Sequence, residues 1–224
     1  MLAVLAAELV DSRKYWTPHE VKAYAEDLGA LFKENHLVRA FNVAHGDAFR
    51  FEVERPKALR VSLMAGALAM RQRRPGLRVA IAFQDQSDTS LPITLRTGDG
   101  YFAAASALPE LARRKERLAL VASEDVHAAW VTAVQLAGHV LAGFAPRQAE
   151  ALAFKLHRPG ADQRALADML EVSQQAISKH YRGGAFKALL STCDRFAADF
   201  APRPGTQAAK SVVTYRNPYE TQDR

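Results

Sequence analysis

The chain has 224 residues, of which 49% are hydrophobic and 24% are charged, a composition typical of globular proteins that bury a core. The net charge of +6 suits an anionic partner, and the single cysteine, Cys193, excludes an internal disulfide framework and a cysteine-rich zinc site. With a single cysteine, a reducing cytoplasm is the simplest setting, and we expect a cytoplasmic protein. No apolar run approaches the roughly 20 residues that a membrane span needs, so we expect no membrane partner.

Strand and helix signals alternate along the first half of the chain. The apolar residues 2–10 have no basic start and predict a central strand, not a signal peptide. Thr17, Pro18 and Glu20 form a capping-box pattern that predicts a helix to about residue 35. Two strands are then expected at 39–44 and 49–53, joined by a hairpin tip. Further on, the pattern predicts a helix at 56–74, a strand at 77–83, a helix at 101–117 and a strand at 118–122.

This order of elements indicates the fold class and the domains. The order β-α-β-β-α-β, followed by a helix and a strand, predicts an α+β fold with a mostly antiparallel sheet in residues 1–122. From residue 124 the pattern is helical, so we expect an all-α domain at 123–200. Residues 201–224 are polar and begin with turn residues, which predicts a flexible tail.

Residues 163–179 carry the most specific signal, two short helices joined by a tight turn. This helix-turn-helix arrangement places one helix in the major groove of DNA. Leu166, Leu170 and Ile177 are spaced to form one apolar face, and Ser173 is placed to N-cap the second helix. Glutamine can bind an adenine edge, while serine, lysine and arginine suit phosphates. The predicted DNA-binding residues are Ser173, Gln174, Gln175, Ser178, Lys179 and Arg182.

Glu171 departs from the usual pattern in the turn. Helix-turn-helix proteins usually carry glycine there, because the backbone often needs a positive φ. Glutamate would adopt that conformation at a cost and would bring a negative charge close to DNA. The alternative interpretation of the segment is an ordinary helical hairpin with a polar exterior.

Three acidic residues are expected near one another in the first domain. Glu8 and Asp11 lie at the end of the first strand, and Asp47 lies at the hairpin tip. Carboxylates in such a position can hold Mg²⁺ against a nucleoside triphosphate. Gly46 permits a close backbone approach to a ligand, and Gly98 and Gly100 offer a second one. The alternative is that Asp47 and Asp11 only stabilise turns.

Three segments together resemble the SatD-like bacterial proteins: 5–14 (LAAELVDSRK), 46–50 (GDAFR) and 98–105 (GDGYFAAA). The layout is also similar, more distantly, to the palm of class III nucleotidyl cyclases. Over the first half of the chain, the resemblance implies a ferredoxin-like or nucleotidyl cyclase-like fold. A helix-turn-helix module after that domain is compatible with the group. The ligand-binding residues that follow from the acidic cluster and the resemblance are Glu8, Asp11, Ser12, Arg13, Gly46, Asp47, Arg50, Gly98 and Asp99.

One position in the first strand separates this chain from the family pattern. The Gly-Asp pair of the family is Ala7-Glu8 here, so a longer glutamate replaces the aspartate that would face a metal. No residue is therefore assigned a catalytic role. The site is interpreted as a degenerate one that senses a ligand or mediates assembly.

The sequence thus favours a DNA-binding transcriptional regulator that binds double-stranded DNA as a homodimer, because one short helix contacts few bases. The helix expected at 125–141 is a candidate dimer or interdomain element. The alternative is a Mg²⁺-dependent nucleotidyl cyclase or polymerase-like enzyme that uses Glu8, Asp11 and Asp47 with a nucleotide. A third interpretation is an adaptor whose helix-turn-helix contacts protein only.

Overall fold

A computed structural model describes residues 1–34, 36–71, 74–124 and 126–202, apart from the side chain of His45. The tail predicted at 201–224 therefore lies almost wholly outside the described residues. The strands are β1 (Leu2–Leu9), β2 (Ala40–His45), β3 (Ala48–Glu54), β4 (Leu77–Gln84) and β5 (Leu118–Leu120). The helices are α1 (Ser12–Tyr15), α2 (Pro18–Glu34), α3 (Ala58–Ala69), α4 (Asp99–Arg114), α5 (Ala128–Ala142), α6 (Pro146–His157), α7 (Gln163–Met169), α8 (Gln174–Arg182) and α9 (Gly184–Asp199).

The strands form one five-stranded sheet in the order β2-β3-β1-β4-β5. β1 is central and pairs antiparallel with β3 and β4, and β2 and β3 form an antiparallel hairpin. β5 is parallel to β4, because the connection through α4 returns the chain to the same end of the sheet. The predicted α+β class is confirmed, and the sheet is mixed, with one parallel pair.

Both faces of the sheet are covered, which explains why β1 is apolar along its whole length. Ala3, Leu5, Ala7 and Leu9 pack on one face with α2 and α3. Leu2, Val4 and Ala6 pack on the other face against α4. Successive side chains of a strand point to opposite faces, so a strand buried on both sides reads as a continuous apolar run.

The predicted start of α2 is confirmed in detail. The amide of Thr17 donates to Glu20 Oε2 at 2.7 Å, and the amide of Glu20 donates back to Thr17 Oγ1 at 3.3 Å. This reciprocal pair satisfies two backbone donors at the helix start. The helix predicted at 56–74 is shorter than expected. A 3₁₀ turn occupies Arg55–Lys57, and α3 ends at Ala69, well before Pro75, which disfavours helical backbone in the residue before it.

The helices after β5 pack directly on the sheet domain. One core cluster extends from β1 and α3 to Phe186 and Phe196 of α9. α5 lies so close to β5 that a Cβ atom at Gly138 would be only 2.8 Å from the backbone nitrogen of Leu118. α5 therefore packs against the sheet. Within the described ranges, no helix has the length and apolarity needed to cross a membrane.

Candidate functional site

α7 and α8 form a two-helix unit whose helix starts are both capped by side chains. Asp162 Oδ1 accepts from the amide of Ala165 at 2.8 Å, and Ser173 Oγ accepts from the amide of Ala176 at 3.2 Å. The predicted N-cap at Ser173 is confirmed. Each cap satisfies one backbone donor that lacks a partner within its helix.

The turn between the two helices is a Schellman motif. The amide of Val172 donates to the carbonyl of Ala167 at 3.0 Å, and the amide of Glu171 donates to the carbonyl of Asp168 at 3.3 Å. This pattern requires a left-handed backbone at the first residue after the helix cap. That residue is Glu171, whose φ is 52°. The sequence argument that this position needs a positive φ is confirmed, and a glutamate carries the strain that glycine would avoid.

The apolar side of the unit is buried as its spacing predicted. Leu166 and Ile177 are buried, as is Leu170 next to the turn. α9 lies beneath them, where the rings of Tyr181 and Phe186 are 4.8 Å apart between centroids. α8 is thus fixed on its inner side and has its other side in solvent.

The outer side of α8 carries five of the six residues predicted to bind DNA, and the sixth, Ser173, caps the helix. At about 100° per residue, Gln174, Gln175, Ser178, Lys179 and Arg182 span an arc of about 140°. All are exposed except Ser178, which is half-buried. α8 contains no acidic residue, and its last turn holds Lys179, His180 and Arg182. Burial, with a smaller contribution from Lys179, lowers the pKa of His180, so this histidine adds no charge at neutral pH.

Six of the nine predicted ligand-binding residues lie at one end of the sheet. The amide of Leu9 donates to the carbonyl of Asp47 at 3.1 Å, which brings the hairpin tip to the end of β1. Asp11 follows β1 with a φ of 48°, a left-handed conformation that aspartate tolerates. This end of the sheet holds Glu8, Asp11, Ser12, Arg13, Gly46 and Asp47.

The three acids at this end do not form a metal site. Glu8 Oε1 accepts a hydrogen bond from Arg78 Nη1 at 3.0 Å in a half-buried ion pair. The carboxylate of Glu8 is thus engaged by a guanidinium of the neighbouring strand β4. Across the described ranges, no three side chains of the His, Cys, Asp or Glu type are grouped so that they could hold a cation.

The other three predicted residues lie elsewhere. Gly98 and Asp99 begin α4 beside Gln84, whose Oε1 accepts from the amide of Gly100 at 2.8 Å. Gln84 pairs with Leu2, so this point is about 20 Å along β1 from Glu8. Arg50 lies in the middle of β3, where it donates to the carbonyl of Ile93 at 3.3 Å. The structure thus does not gather the nine residues into one site.

Sequence reasoning missed a buried ionic cluster around Glu52, which is only 1% exposed. Its carboxylate pairs with Arg96 at 2.6 Å and accepts from Ser87 Oγ at 2.6 Å and from the hydroxyl of Tyr101. The one available signal was the alternation of β3, in which Arg50, Glu52 and Glu54 alternate with the apolar residues Phe49, Phe51 and Val53. Arg50 and Glu52 share the face that α4 covers, and they hold the segment 87–96 against it.

Comparison with protein-family models, with curated proteins and with solved structures gives no match to this chain.

Proposed function

We propose that this protein is a DNA-binding transcriptional regulator in which α7 and α8 form the helix-turn-helix. The observation that carries the proposal is the outer face of α8, which is exposed, free of acidic residues and rich in amides and cations. The free face of α8 consists of side chains suited to base edges and phosphates. The packing of an ordinary helical hairpin would not require such a face.

In this proposal the two ends of α8 have different roles. Gln174 and Gln175 in the first turn would contact base edges, since recognition helices contact bases through their N-terminal residues. Lys179 and Arg182 in the last turns would contact phosphates. The Glu171 carboxylate lies next to the first turn, where it would repel the DNA backbone and limit affinity.

The sheet domain would serve sensing or assembly. Its strand order β2-β3-β1-β4, with α2 and α3 on one face, agrees with the ferredoxin-like order of nucleotidyl cyclase palms. This agreement supports the proposed relationship to the SatD-like proteins. Because α3 packs against the helical part, a change in the sheet domain would reach α6 to α9. A homodimer is part of this proposal, because a single α8 buries too little surface for specific binding.

A Mg²⁺-dependent nucleotidyl cyclase or polymerase-like enzyme is the second candidate. It is favoured by the placement of Glu8, Asp11 and Asp47 at one end of the sheet. The Glu8–Arg78 ion pair weighs against it, because a cation would have to displace the guanidinium. Incubation with each nucleoside triphosphate and Mg²⁺ tests this candidate, and a product whose formation needs Asp47 would displace the regulator proposal.

The DNA proposal is tested with duplexes that the wild-type protein enriches from a random library. Gln174→Ala and Gln175→Ala are expected to lower the preference for enriched over random duplexes by about tenfold, because each bidentate base contact contributes ~1–3 kcal/mol. Lys179→Ala is expected to weaken binding to both duplexes and to reduce the salt slope by about 1.

Two matched variants distinguish contact at α8 from general effects. Gln148→Ala on α6 and Lys22→Ala on α2 remove the same side-chain types away from the proposed interface. Both are expected to bind like the wild type. The proposal fails if the wild type enriches no sequence, or if the α8 variants keep their discrimination and salt slope.

A further inference from the structure

α4 covers one face of the sheet and leaves its own outer side in solvent. Its inner side chains pack in one cluster with residues of β1 and β4. At about 100° per residue, the residues opposite this inner side lie within an arc of about 80°. They form the α4 stripe, which consists of Asp99, Phe102, Ser106, Pro109 and Arg113. All five are exposed, so no other described part of the chain covers the stripe.

The middle of the α4 stripe is suited to packing against another helix. Phe102 is 69% exposed, the largest exposed fraction of any large hydrophobic residue in the described ranges. Pro109 lies two turns further along the same side, and the small Ser106 lies between them. Removal of a phenylalanine ring from water is favourable, and a small residue beside it lets a second helix approach.

The two ends of the α4 stripe carry opposite charges. Asp99 lies in the first turn and Arg113 in the last, about 21 Å apart along the helix. Nε and Nη2 of Arg113 donate to Glu110, but the Arg113 side chain is still 69% exposed and can meet a second carboxylate. Glu110 is balanced by Arg113 and Arg114 together, so this end keeps a net positive charge. A surface with the same two charges in the reverse order is therefore complementary to the stripe.

An antiparallel second copy of α4 supplies that reverse order. With a two-fold axis at Ser106, Asp99 lies opposite Arg113 of the second copy, and Phe102 lies opposite Pro109 of the second copy. The axis repeats each contact, so one dimer holds two ion pairs and two contacts between phenylalanine and proline. The alternating spacing of three and four residues along the stripe is the one at which two α-helices pack side by side. The α4 stripe is thus complementary to itself.

We propose that this protein forms a homodimer in which the α4 helices of two copies pack antiparallel through the α4 stripe. α8 belongs to the helical part, which packs on the opposite face of the sheet, so both α8 helices stay exposed in this dimer. One pair of 16-residue helices is a small interface. We therefore expect a dissociation constant in the micromolar range and a monomer at the low concentrations of a denaturation experiment. The role of the dimer in DNA binding rests on the proposed function, whereas the pairing of α4 does not.

Sedimentation equilibrium of the full-length protein over a wide range of concentration tests the proposal. The wild type is expected to reach a dimer. Phe102→Asp is expected to lower the association constant by more than about tenfold, because each dimer loses two apolar contacts and gains two carboxylates in their place. Leu136→Asp is the matched control, since Leu136 is an exposed leucine of α5, outside the stripe, and it is expected to associate like the wild type.

Asp99→Arg and Arg113→Asp test the antiparallel order of the two helices. Each variant alone places like charges opposite each other twice in its dimer, and we expect association about tenfold weaker than that of the wild type. In an equimolar mixture, a heterodimer of the two variants has both pairs attractive again. The mixture is therefore expected to associate about as tightly as the wild type, a recovery that misfolding of either variant cannot produce.

Three results would overturn the proposal. They are a wild type that stays monomeric at every concentration, an equal loss of association in Leu136→Asp and Phe102→Asp, and a mixture that associates no better than its components. Since the measurement contains no DNA, failure of the α4 dimer is distinguishable from failure of DNA binding by α8.

Discussion

Arg60 Nε donates to the carbonyl of Leu156 at 2.6 Å and thereby ties α3 of the sheet domain to the last turn of α6. A second nitrogen, Nη2, is 3.5 Å from the carbonyl of His157. The last carbonyls of a helix have no partner within the helix, and a cation there also complements the helix dipole. Burial lowers the pKa of Arg60, but a guanidinium stays charged over the working range of pH.

We expect Arg60→Met to lower the free energy of unfolding by about 1.5–3 kcal/mol, the range for hydrogen bonds that involve a charged group. Methionine keeps much of the aliphatic volume, so the loss reports the hydrogen bonds. Urea denaturation measures it. Arg113→Met, which breaks an exposed pair with Glu110, is the control and should change stability little, because solvent screens an exposed pair. Equal effects of the two variants would contradict the role of Arg60.

Glu171→Gly should stabilise the protein and strengthen the DNA binding proposed for α8. The left-handed conformation costs a residue with a side chain about 1–2 kcal/mol, which glycine avoids, although glycine loses more entropy on folding. We therefore expect a net gain of about 0.5–1 kcal/mol in the free energy of unfolding. Thermal and urea denaturation measure the gain in stability, and DNA titration measures the gain in affinity.

Glu171→Gln separates the backbone effect from the charge effect. It removes the negative charge beside α8 and keeps the side chain at the left-handed position. We expect its stability to remain that of the wild type, while its DNA affinity rises as in the glycine variant. If only the glycine variant binds DNA more tightly, rigidity of the turn and not the charge limits affinity.

The features that the sequence predicted well are local ones. The capping box of Thr17 and Glu20, the cap at Ser173 and the left-handed turn at Glu171 each depend on residues within five positions of one another. In such short segments the backbone geometry and the side-chain chemistry are fixed by the residue types themselves. The order of helices and strands along the chain followed from similar local signals.

The features that the sequence did not predict depend on long-range pairing. Ser87, Arg96 and Tyr101 lie 35 to 49 residues from Glu52 along the chain. Their meeting depends on the path of the segment between β4 and α4, which has no periodic pattern. The same path places Gly98 and Asp99 at the end of the sheet opposite Glu8, where motif order alone suggested one site.

Breaking the Glu52 cluster should be costly. Arg96→Met leaves the buried carboxylate of Glu52 without its cation, and we expect a loss of about 3–5 kcal/mol in the free energy of unfolding. Tyr101→Phe removes one donor to the same carboxylate and should cost about 1–3 kcal/mol. Urea denaturation measures both, and a double variant with Glu52→Gln should recover part of the loss. A loss in Arg96→Met no larger than that of an exposed pair would show that the cluster is solvated.

The buried thiol of Cys193 should react only when the protein opens. Burial, with a smaller contribution from Asp194, raises the pKa of Cys193 from 9.0 to about 12. Because the thiolate is the reactive form, iodoacetamide at pH 8 should label the native protein at a rate set by unfolding, and the urea-unfolded protein rapidly.

The same shift predicts how stability depends on pH. The native state holds its proton more tightly than the unfolded state, so the stabilisation is complete below pH 9 and is lost as the pH rises from 9.0 towards about 12. Cys193→Ser, which does not titrate in this range, should lose less stability over the same interval. Rapid labelling of the native protein at pH 8, or an equal alkaline loss in both proteins, would contradict the burial of this thiol between α9 and the core.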